Sequence, residues 1–335
     1  MFHATVRLAA VRIQTMKALW IDRPGRLALR DVPLPPLPEG ECRVAVRLVG
    51  VCRTDLELAS GYMGFTGIPG HEFVGTVVEG PERLLGRRVV GEINAGCGTC
   101  AACVSGMGRH CADRTVLGIL RRPGAFAETL ALPARNLLVV PDSVSDEEAV
   151  FTEPLAAALE IFEQVHIRPG SRVLVLGDGK LGLLVAQVCS QMGARVLLLG
   201  HHEKKLALAR RWGVEALAAQ DVLGPAERFP YVVECTGTPG AFAEAVALTA
   251  PRGTLLLKST YAPTDPPRLD WARIVVDEIT VVGSRCGLLT PALRLLAAGK
   301  LDVRCLIDHR KPLAQGEEAF QLAARKGVLK VLVQV

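Results

Sequence analysis

The sequence predicts an α/β protein with a β-rich first part and a doubly wound parallel sheet after it. Short β-like runs separated by turns rich in Gly and Pro fill the first 150 residues, which is typical of a compact, barrel-like domain. From residue 155 onward strands alternate with helices, and this order indicates a parallel sheet covered on both faces. A length of 335 residues suits two domains.

In the first part, residues 16–20 are predicted to form the opening strand. Residues 1–15 are interpreted as an extension or as the result of a misassigned start. The further strands of this part are predicted over residues 43–51, 73–78, 88–92 and 126–131.

In the second part, buried strands and amphipathic helices take turns. Strands are predicted over residues 172–176, 195–199, 231–234, 254–258 and 279–282, and helices over 155–164, 181–192 and 203–212. Two helices (291–298 and 317–324) and a last strand (329–333) follow, and we expect them to return to the first domain. The predicted domains are residues 16–154 together with 287–335, and residues 155–286.

The composition excludes several classes of protein. The net charge of +5 is mild and spread along the chain, which favours a solvated surface over nucleic-acid binding. No apolar run approaches the roughly 20 residues of a membrane-spanning helix. Nothing marks the chain as secreted, so its ten cysteines are not expected to form disulfides. We expect a cytoplasmic protein that binds neither nucleic acid nor membrane.

Four cysteines crowd one glycine-containing loop: Cys97, Cys100, Cys103 and Cys111. Thiolates at this spacing can close around one tetrahedral zinc ion and leave no ligand position open for a substrate. The alternatives are a disulfide cluster and cysteines that belong to a core. The spacing favours a structural zinc site, so the reactive centre is sought elsewhere.

A glycine motif, GDGKLG, follows the predicted strand 172–176 and opens a helix. In that context it predicts a dinucleotide site, because glycines let the backbone approach a pyrophosphate at the start of a helix. The residues assigned to the cofactor here are Gly177, Gly179, Lys180, Leu181 and Gly182.

The end of the second strand bears on the choice of cofactor. Gly200 stands where an acid would bind the ribose of NAD, and the basic residues His201, His202 and Lys205 follow. A missing carboxylate with nearby cations favours the 2′-phosphate of NADP, so NADP is predicted. The alternatives are that Glu203 binds the ribose, or that the histidines cap the next helix.

Residues of metal-ligand type occur in three further segments. Cys52, His71, Glu72 and Glu153 together make a zinc set that leaves a position for water or substrate. Taken singly, each residue has a structural explanation, such as a core cysteine or an acid at the start of a helix. Their co-occurrence with the other motifs favours a second metal site.

The combination of motifs resembles the medium-chain dehydrogenase/reductase superfamily, in its zinc-dependent alcohol dehydrogenase branch. The motifs are GVCRTD, GHEFVG, the four-cysteine loop, the Glu-Pro pair before the second domain, and GDGKLG. The resemblance extends from Met16 to Val335. It implies a GroES-like catalytic domain, a Rossmann-fold domain and a cleft between them.

The resemblance implies roles for individual residues. Cys52 and His71 are implied ligands of a catalytic zinc, and Glu153 takes the third-ligand position. Glu72 either replaces a ligand or sits behind the metal, so the choice between the two glutamates stays open. Thr54 matches the hydroxyl that bonds the substrate oxygen and begins a proton relay.

Further roles follow from the same resemblance. Arg53 and Lys330 match basic residues that touch the cofactor pyrophosphate. Glu57 stands where the family usually has a relay histidine, and either accepts the proton or is bypassed. Asp55 is interpreted as holding a zinc ligand in place, with a buried structural acid as the alternative.

Two more residues fall at strand ends in the second domain, where a parallel sheet binds ligands. They are Thr236 and Arg285. Arg285 is expected either near the nicotinamide or in a salt bridge between subunits. Residues 279–282 resemble the family's edge strand that pairs across a dimer, so a homodimer or a tetramer of dimers is expected.

The predicted function is zinc-dependent hydride transfer between a small alcohol or polyol, or its carbonyl form, and NAD(P). One zinc ion is expected to be catalytic and one structural in each subunit. The alternatives are a zinc-free quinone or enoyl reductase of the same superfamily and a non-catalytic NADPH sensor. The intact ligand set disfavours both. An apolar substrate pocket is expected at Leu56, Met63, Phe65 and Leu120.

Overall fold

The computed structural model describes residues 14–219, 227–260 and 270–335. Of the predicted N-terminal extension, residues 1–13 lie outside this range. Thr15, however, pairs with Pro33 in the first hairpin, and the carbonyl of Gln14 accepts a hydrogen bond from the amide of Leu34. The first strand therefore begins one residue before the predicted start at Met16, and the interpretation of the residues before it stays a prediction.

The structure consists of the following elements. The strands are β1 (Thr15–Arg23), β2 (Arg26–Pro33), β3 (Glu41–Gly50), β4 (Glu72–Glu79), β5 (Arg88–Gly91), β6 (Asn94–Ala95), β7 (Thr115–Leu117), β8 (Arg121–Arg122), β9 (Thr129–Pro133), β10 (Leu137–Val139), β11 (Arg172–Leu176), β12 (Arg195–Gly200), β13 (Glu215–Ala218), β14 (Phe229–Glu234), β15 (Thr249–Leu257), β16 (Thr280–Gly283), β17 (Ile307–Pro312) and β18 (Lys330–Gln334). The helices are α1 (Arg53–Ala59), α2 (Ala101–Val104), α3 (Asp146–Ala149), α4 (Thr152–Gln164), α5 (Lys180–Gln191), α6 (Glu203–Arg211), α7 (Pro239–Leu248), α8 (Trp271–Val276), α9 (Leu289–Ala297) and α10 (Gly316–Ala323).

Strand β3 is the centre of the β-rich part. It pairs antiparallel with β4, β9 and β18, within a sheet of the order β10-β5-β4-β3-β18-β17. The core beneath this sheet contains Val46, Val49 and Phe126 of the first part together with Phe320 and Val331 of the tail. The tail thus returns to the first sheet, while the exact domain bounds stay a prediction.

The second sheet is parallel and buried on both faces. In the described residues it has six strands in the order β13-β12-β11-β14-β15-β16. Val173 and Val175 of β11 pack into one apolar cluster with residues of α5, whereas Leu174 and Leu176 pack into a second cluster with residues of α7. Burial of alternate side chains on opposite faces explains the continuous apolar run of this strand. The predicted doubly wound sheet is confirmed.

The strand order determines where this sheet binds ligands. β11 lies between β12 and β14. The chain therefore builds β12 and β13 on one side of β11 and the later strands on the other side. The carboxyl ends of strands at such a switch point border a crevice that is open to ligands. Both the glycine motif and Gly200 lie at this crevice.

Some helices are not indicated by the sequence pattern. α1 and α8 have seven and six residues, which is too short for a clear helical period. α7 has the sequence PGAFAEAVAL, which is apolar almost throughout and so shows little amphipathic contrast. Within the described part of the chain, no helix combines the length and apolar character needed to cross a membrane.

Candidate metal and dinucleotide sites

Three potential metal ligands converge where β3 ends and β4 begins. Cys52 follows β3, while His71 and Glu72 stand at the start of β4. One ligand atom of each residue lies within 4.8 Å of the other two. The antiparallel pairing of Gly50 with Glu72 brings the two segments together. A thiolate, an imidazole and a carboxylate at these separations fit a zinc ion.

Asp55 holds the two ligand segments in place. Its fully buried carboxylate accepts hydrogen bonds from the backbone N–H of Cys52 at 2.8 Å and of Gly70 at 3.1 Å. Its Oδ1 also lies 3.3 Å from Nδ1 of His71, an electrostatic contact whose angles fall short of a hydrogen bond. This contact leaves Nε2 as the ring nitrogen that faces a metal, as is usual when a carboxylate orients a metal-bound histidine.

The charges around His71 favour a cation. Burial disfavours the protonated imidazole, yet the Asp55 carboxylate and the Cys52 thiolate raise the pKa of His71 well above its ordinary value. The groups that stabilise a proton on this ring also stabilise a metal ion beside it. The electrostatics therefore agree with the ligand chemistry of the cluster.

Lys330 pairs with Glu72 inside the protein. Its Nζ contacts a carboxylate oxygen of Glu72, and both side chains are buried. Burial alone raises the pKa of Glu72, but Lys330 and then Lys180 lower it below its ordinary value. Lys330 thus lies at the metal cluster, and its predicted contact with a pyrophosphate stays a prediction.

Glu153, in the first turn of α4, stands outside the compact group of Cys52, His71 and Glu72. Burial raises the pKa of Glu153 to about 7, opposed by the charge of His71 and supported by the carboxylates of Glu72 and Glu92. Glu153 therefore lies within electrostatic reach of the cluster. Both glutamates that the sequence pointed to are near the same place.

The predicted relay residues lie on α1, next to the cluster. Thr54 Oγ1 is 3.8 Å from Cys52 Sγ. Arg53 Nε donates a hydrogen bond to Glu57 Oε1 at 2.7 Å, and both of these side chains are exposed. Thr54 on this helix therefore lies beside the cluster, whereas Glu57 lies at the surface. Arg53 is hydrogen-bonded to Glu57.

The four cysteines of the predicted structural site form one cluster. Their Sγ atoms all lie within 4.8 Å of one another, with separations of 3.9 Å between Cys97 and Cys103 and 3.7 Å between Cys100 and Cys111. Zinc–sulfur bonds of about 2.3 Å in a tetrahedron place the sulfurs about 3.8 Å apart. All ten cysteines are free, so the disulfide alternative is not observed and the cluster fits zinc.

The four-cysteine loop is fastened to the second domain by two arginines. Arg109 donates hydrogen bonds to the Cys286 carbonyl and, at 3.1 Å, to Glu160. Arg285 donates to the Arg109 carbonyl at 2.7 Å. Arg285 therefore contacts the loop, and its predicted place near the nicotinamide stays a prediction. Nothing in the sequence pattern signals Arg109.

The glycine motif provides the backbone approach that a dinucleotide needs. Gly177 has a φ of 108°, and a Cβ on Gly182 would overlap the Gly177 carbonyl. A Cβ on Gly179, by contrast, would meet no atom within 4 Å. Gly179 thus lies beside open space at the N-terminus of α5, which is the place where a pyrophosphate binds in such motifs.

Two further predicted cofactor residues make contacts within the protein. Lys180 Nζ donates to the carbonyl of Val51 at 2.6 Å, which ties the start of α5 to the residue before Cys52. The amide and hydroxyl of Thr236 both donate to Glu234 Oε1 at 2.5 Å, so the turn after β14 is fixed. Leu181 lies half-buried in the first turn of α5.

The end of β12 is occupied by a residue that the sequence analysis overlooked. Asp178 Oδ2 accepts hydrogen bonds from the amides of His201 at 2.8 Å and His202 at 2.6 Å. Lys205 is buried in the first turn of α6. The signal in the sequence is the acid between the first two glycines of the motif, directly before Gly179.

Comparisons with known proteins agree with this geometry. The model of the alcohol dehydrogenase GroES-like domain matches residues 38–142, and the zinc-binding dehydrogenase model matches residues 181–298. An L-threonine 3-dehydrogenase from Chelativorans sp. (strain BNC1) is 32% identical over 343 residues, covering 95% of this chain and 96% of that protein. The chain belongs to the zinc-dependent alcohol dehydrogenase-like family of the medium-chain dehydrogenase/reductases.

Solved structures of similar proteins superpose over almost the whole of this family member. An alcohol dehydrogenase from Escherichia coli CFT073 complexed with NADH has a TM-score of 0.88 and 26% identity, covering 96% of this chain and 99% of that one. A zinc-binding dehydrogenase from Sinorhizobium meliloti 1021 bound to NADP has a TM-score of 0.87 and 28% identity, covering 96% and 100%. The predicted GroES-like and Rossmann folds and the prediction of a zinc-dependent, NAD(P)-linked oxidoreductase are confirmed.

This zinc-dependent dehydrogenase has an apolar groove beside its β-rich domain. The groove has a volume of about 350 Å³ and is lined by the predicted pocket residues Met63, Phe65 and Leu120. Trp20, Ile68, Ile119 and Pro123 also contribute to its apolar wall. Leu56 does not line this groove and instead packs against the core of the β-rich domain.

Replacing Asp55 tests its role at the metal cluster. Asp55→Ala removes the acceptor that joins the Cys52 and Gly70 amides, and we expect the affinity of this cluster for zinc to fall by about 10- to 100-fold. Competition with a chromogenic chelator measures the change. Asp31→Ala, at an exposed acid paired with Lys17, is the control. Unchanged zinc affinity in Asp55→Ala contradicts the role.

Replacing Gly182 tests the glycine loop. The Cβ of Gly182→Ala forces the loop away from its place, and several backbone hydrogen bonds of about 1 kcal/mol each to the cofactor are lost. We expect NADH binding, followed by its fluorescence enhancement, to weaken by roughly tenfold or more. Gly240→Ala is the control, because a Cβ there meets no atom within 4 Å. Equal affinities in the two variants contradict the assignment.

Proposed function

We propose that this protein oxidises a small polar alcohol with a catalytic zinc held by Cys52, His71 and a glutamate. The observation that carries the proposal is the contact between its two sites. Lys180, at the start of the dinucleotide helix, donates to the carbonyl of Val51, directly before Cys52. Hydride transfer needs the reacting atoms about 3–3.5 Å apart, and this contact makes the two sites neighbours in one cleft.

The reaction divides its tasks among the bound groups and the protein. When bound, zinc supplies a Lewis acid that lowers the pKa of an alcohol, and the nicotinamide supplies a hydride acceptor. Thr54 accepts the proton of the substrate hydroxyl and passes it along α1 toward Glu57 at the surface. Asp55 holds Cys52 and His71 in position. The cleft between the domains excludes water.

Two glutamates compete for the third ligand position, and we assign it to Glu153. The charge of Glu72 is already balanced by buried Lys330. Among the described residues, by contrast, Glu153 has no ion pair. A partly buried carboxylate without an ion-pair partner is unfavourable, and a metal ion would balance its charge. Glu72 would then remain paired with Lys330.

The substrate is proposed from the charge of the site and from relatives. Glu153 lies within electrostatic reach of the carboxylates of Glu72 and Glu92, so the surroundings of the site are polar and favour a polar alcohol. The L-threonine 3-dehydrogenase among the relatives points the same way. We propose a polyol, sugar or hydroxy-amino acid rather than ethanol.

The cofactor and the compartment complete the proposal. Each chain is proposed to hold one catalytic and one structural zinc ion. The ligand clusters disfavour the zinc-free reductase, and Thr54 at the cluster disfavours the sensor.

The predicted preference for NADP has one observation for it and one against it. Gly200 has no carboxylate, which favours NADP, but Asp178 supplies a carboxylate at the same place, which favours NAD. Ten free cysteines support a reducing compartment, so the cytoplasm is proposed.

Zinc analysis of purified variants tests the metal assignment. We expect two zinc ions per chain in the wild type and one in Cys52→Ala and Glu153→Ala. Oxidation of polyols and hydroxy-amino acids, measured by the absorbance of the reduced nicotinamide, is expected to disappear in Cys52→Ala. Loss of a zinc ion in Glu72→Ala but not in Glu153→Ala assigns the third position to Glu72. One zinc ion in every protein contradicts the catalytic site.

A homodimer, or a tetramer of dimers, is proposed from an exposed apolar surface at the end of the parallel sheet. The side of α8 exposes Trp271 at 68%, Val275 at 75% and Val276 at 78%. Strand β16 is at the edge of the sheet and exposes Val281. Within the described ranges, an exposed apolar helix beside the edge strand of a sheet is typical of a subunit interface.

Charged substitutions test the interface. Val281→Lys and Val276→Lys bury a charge in the proposed contact, and we expect the mass measured by sedimentation equilibrium to fall from that of a dimer toward that of a monomer. Leu85→Lys, at an exposed position of the other domain, keeps the wild-type mass. A monomeric wild type contradicts the proposal.

A further inference from the structure

The acid that binds the adenine ribose of NAD ordinarily stands at the end of the second strand of a Rossmann sheet. In this chain that position, the end of β12, is Gly200. A side chain cannot be accommodated there. A Cβ on Gly200 would lie 2.5 Å from Cβ of Asp178 and 2.7 Å from its Oδ2. The Asp178 side chain therefore fills the volume that an acid at residue 200 would take.

The carboxylate of Asp178 is fixed by the backbone that follows β12. Oδ2 accepts from the amides of His201 and His202 at 2.8 and 2.6 Å, and Nδ1 of His202 lies 3.0 Å away. Burial opposes the charge, but these hydrogen bonds and the charge of Lys205 lower the pKa of Asp178 below its ordinary value. The group is thus a carboxylate at neutral pH.

Several donors that could bind a 2′-phosphate here, namely the amides of His201 and His202 and the ring of His202, are already used by Asp178. The first amides after the second strand and the basic side chains beside them are the groups available to an anion at this place. A phosphate there would meet the carboxylate directly, and like charges in contact are disfavoured. The 2′-hydroxyl of NAD, in contrast, can donate a hydrogen bond to the same carboxylate.

Resting on the proposed nicotinamide-dependent function, we infer that Asp178 is the ribose-binding residue of this dehydrogenase and that it selects NAD over NADP. The acid is supplied by the glycine motif instead of by residue 200. From the end of the neighbouring strand β11, its carboxylate lies at the end of β12. The expectation of NADP, which depended on the glycine at residue 200, is replaced by this assignment.

Direct binding measurements test the inference without catalysis. The dissociation constants of NAD⁺ and NADP⁺ are measured by isothermal titration calorimetry. We expect the wild type to bind NAD⁺ at least about tenfold more tightly than NADP⁺, since the loss of hydrogen bonds to a charged group has effects of this size. In Asp178→Asn, NAD⁺ binding weakens by about tenfold and the ratio between the cofactors approaches one.

Two further variants separate recognition from folding. Glu203→Gln is the matched control: it removes an exposed carboxylate at the start of α6 that is paired with Arg210, and both constants are expected to stay within about twofold, as for surface changes in general. The exchange Asp178→Gly with Gly200→Asp returns the acid to the strand end. We expect it to restore the preference for NAD⁺ that Asp178→Asn loses.

The outcomes distinguish the inference from the function on which it rests. A wild type that prefers NADP⁺, or a loss of NAD⁺ selectivity in Glu203→Gln instead of Asp178→Asn, overturns the role of Asp178 while the dehydrogenase function stands. The role is also overturned if Asp178→Asn weakens the binding of NAD⁺ and NADP⁺ equally and the exchange variant does not restore it. Asp178 would then be an acid with a structural role only. A wild type that binds neither nucleotide overturns the proposed function itself.

Discussion

The buried contact between Lys330 and Glu72 is the interaction on which the rest of the arrangement depends. The two residues are 258 positions apart, and both side chains are buried. Either charge alone would be strongly destabilising in this place, so each requires the other. Lys330 reaches Glu72 only because β18 pairs with β3 and β3 pairs with β4. The position of the Glu72 carboxylate at the metal cluster therefore depends on the pairing of the C-terminal strand β18.

Glycines make the close approaches around this pair and around the cofactor site possible. A Cβ on Gly50 would lie 2.5 Å from Glu72 Oε2 and 3.3 Å from Lys330 Nζ, so the ion pair needs a bare backbone at the end of β3. The same reason applies to Gly200, whose missing side chain leaves room for Asp178. In both places the glycine is explained by what lies against it, because neither has a positive φ. Each marks the place where a carboxylate from another segment lies against the backbone.

The sequence predicts the parts of the site whose residues are close together along the chain. The four cysteines predict their chemistry through spacing, the GDGKLG motif does so through its place between a strand and a helix, and the alternation of strands and helices predicts the parallel sheet. Contacts set by strand register could not be predicted in this way. Asp178 meets the end of β12 because β11 and β12 are parallel neighbours, and Arg109 meets Cys286 only after the domains have packed. Glycine at residue 200 taken alone favours NADP, and the inference of NAD depends on its spatial neighbour Asp178.

The two domains are held together by side chains that donate to backbone carbonyls. Lys180 reaches the carbonyl of Val51 beside the metal cluster, and Arg109 reaches the carbonyl of Cys286 from the four-cysteine loop. A carbonyl does not titrate, so neither contact is lost when a carboxylate is protonated. The four-cysteine loop carries Arg109, whose hydrogen bonds to the Cys286 carbonyl and to Glu160 fasten the loop to the second domain. Because hydride transfer tolerates little misplacement of the reacting atoms, the proposed reaction depends on contacts such as these between the domains.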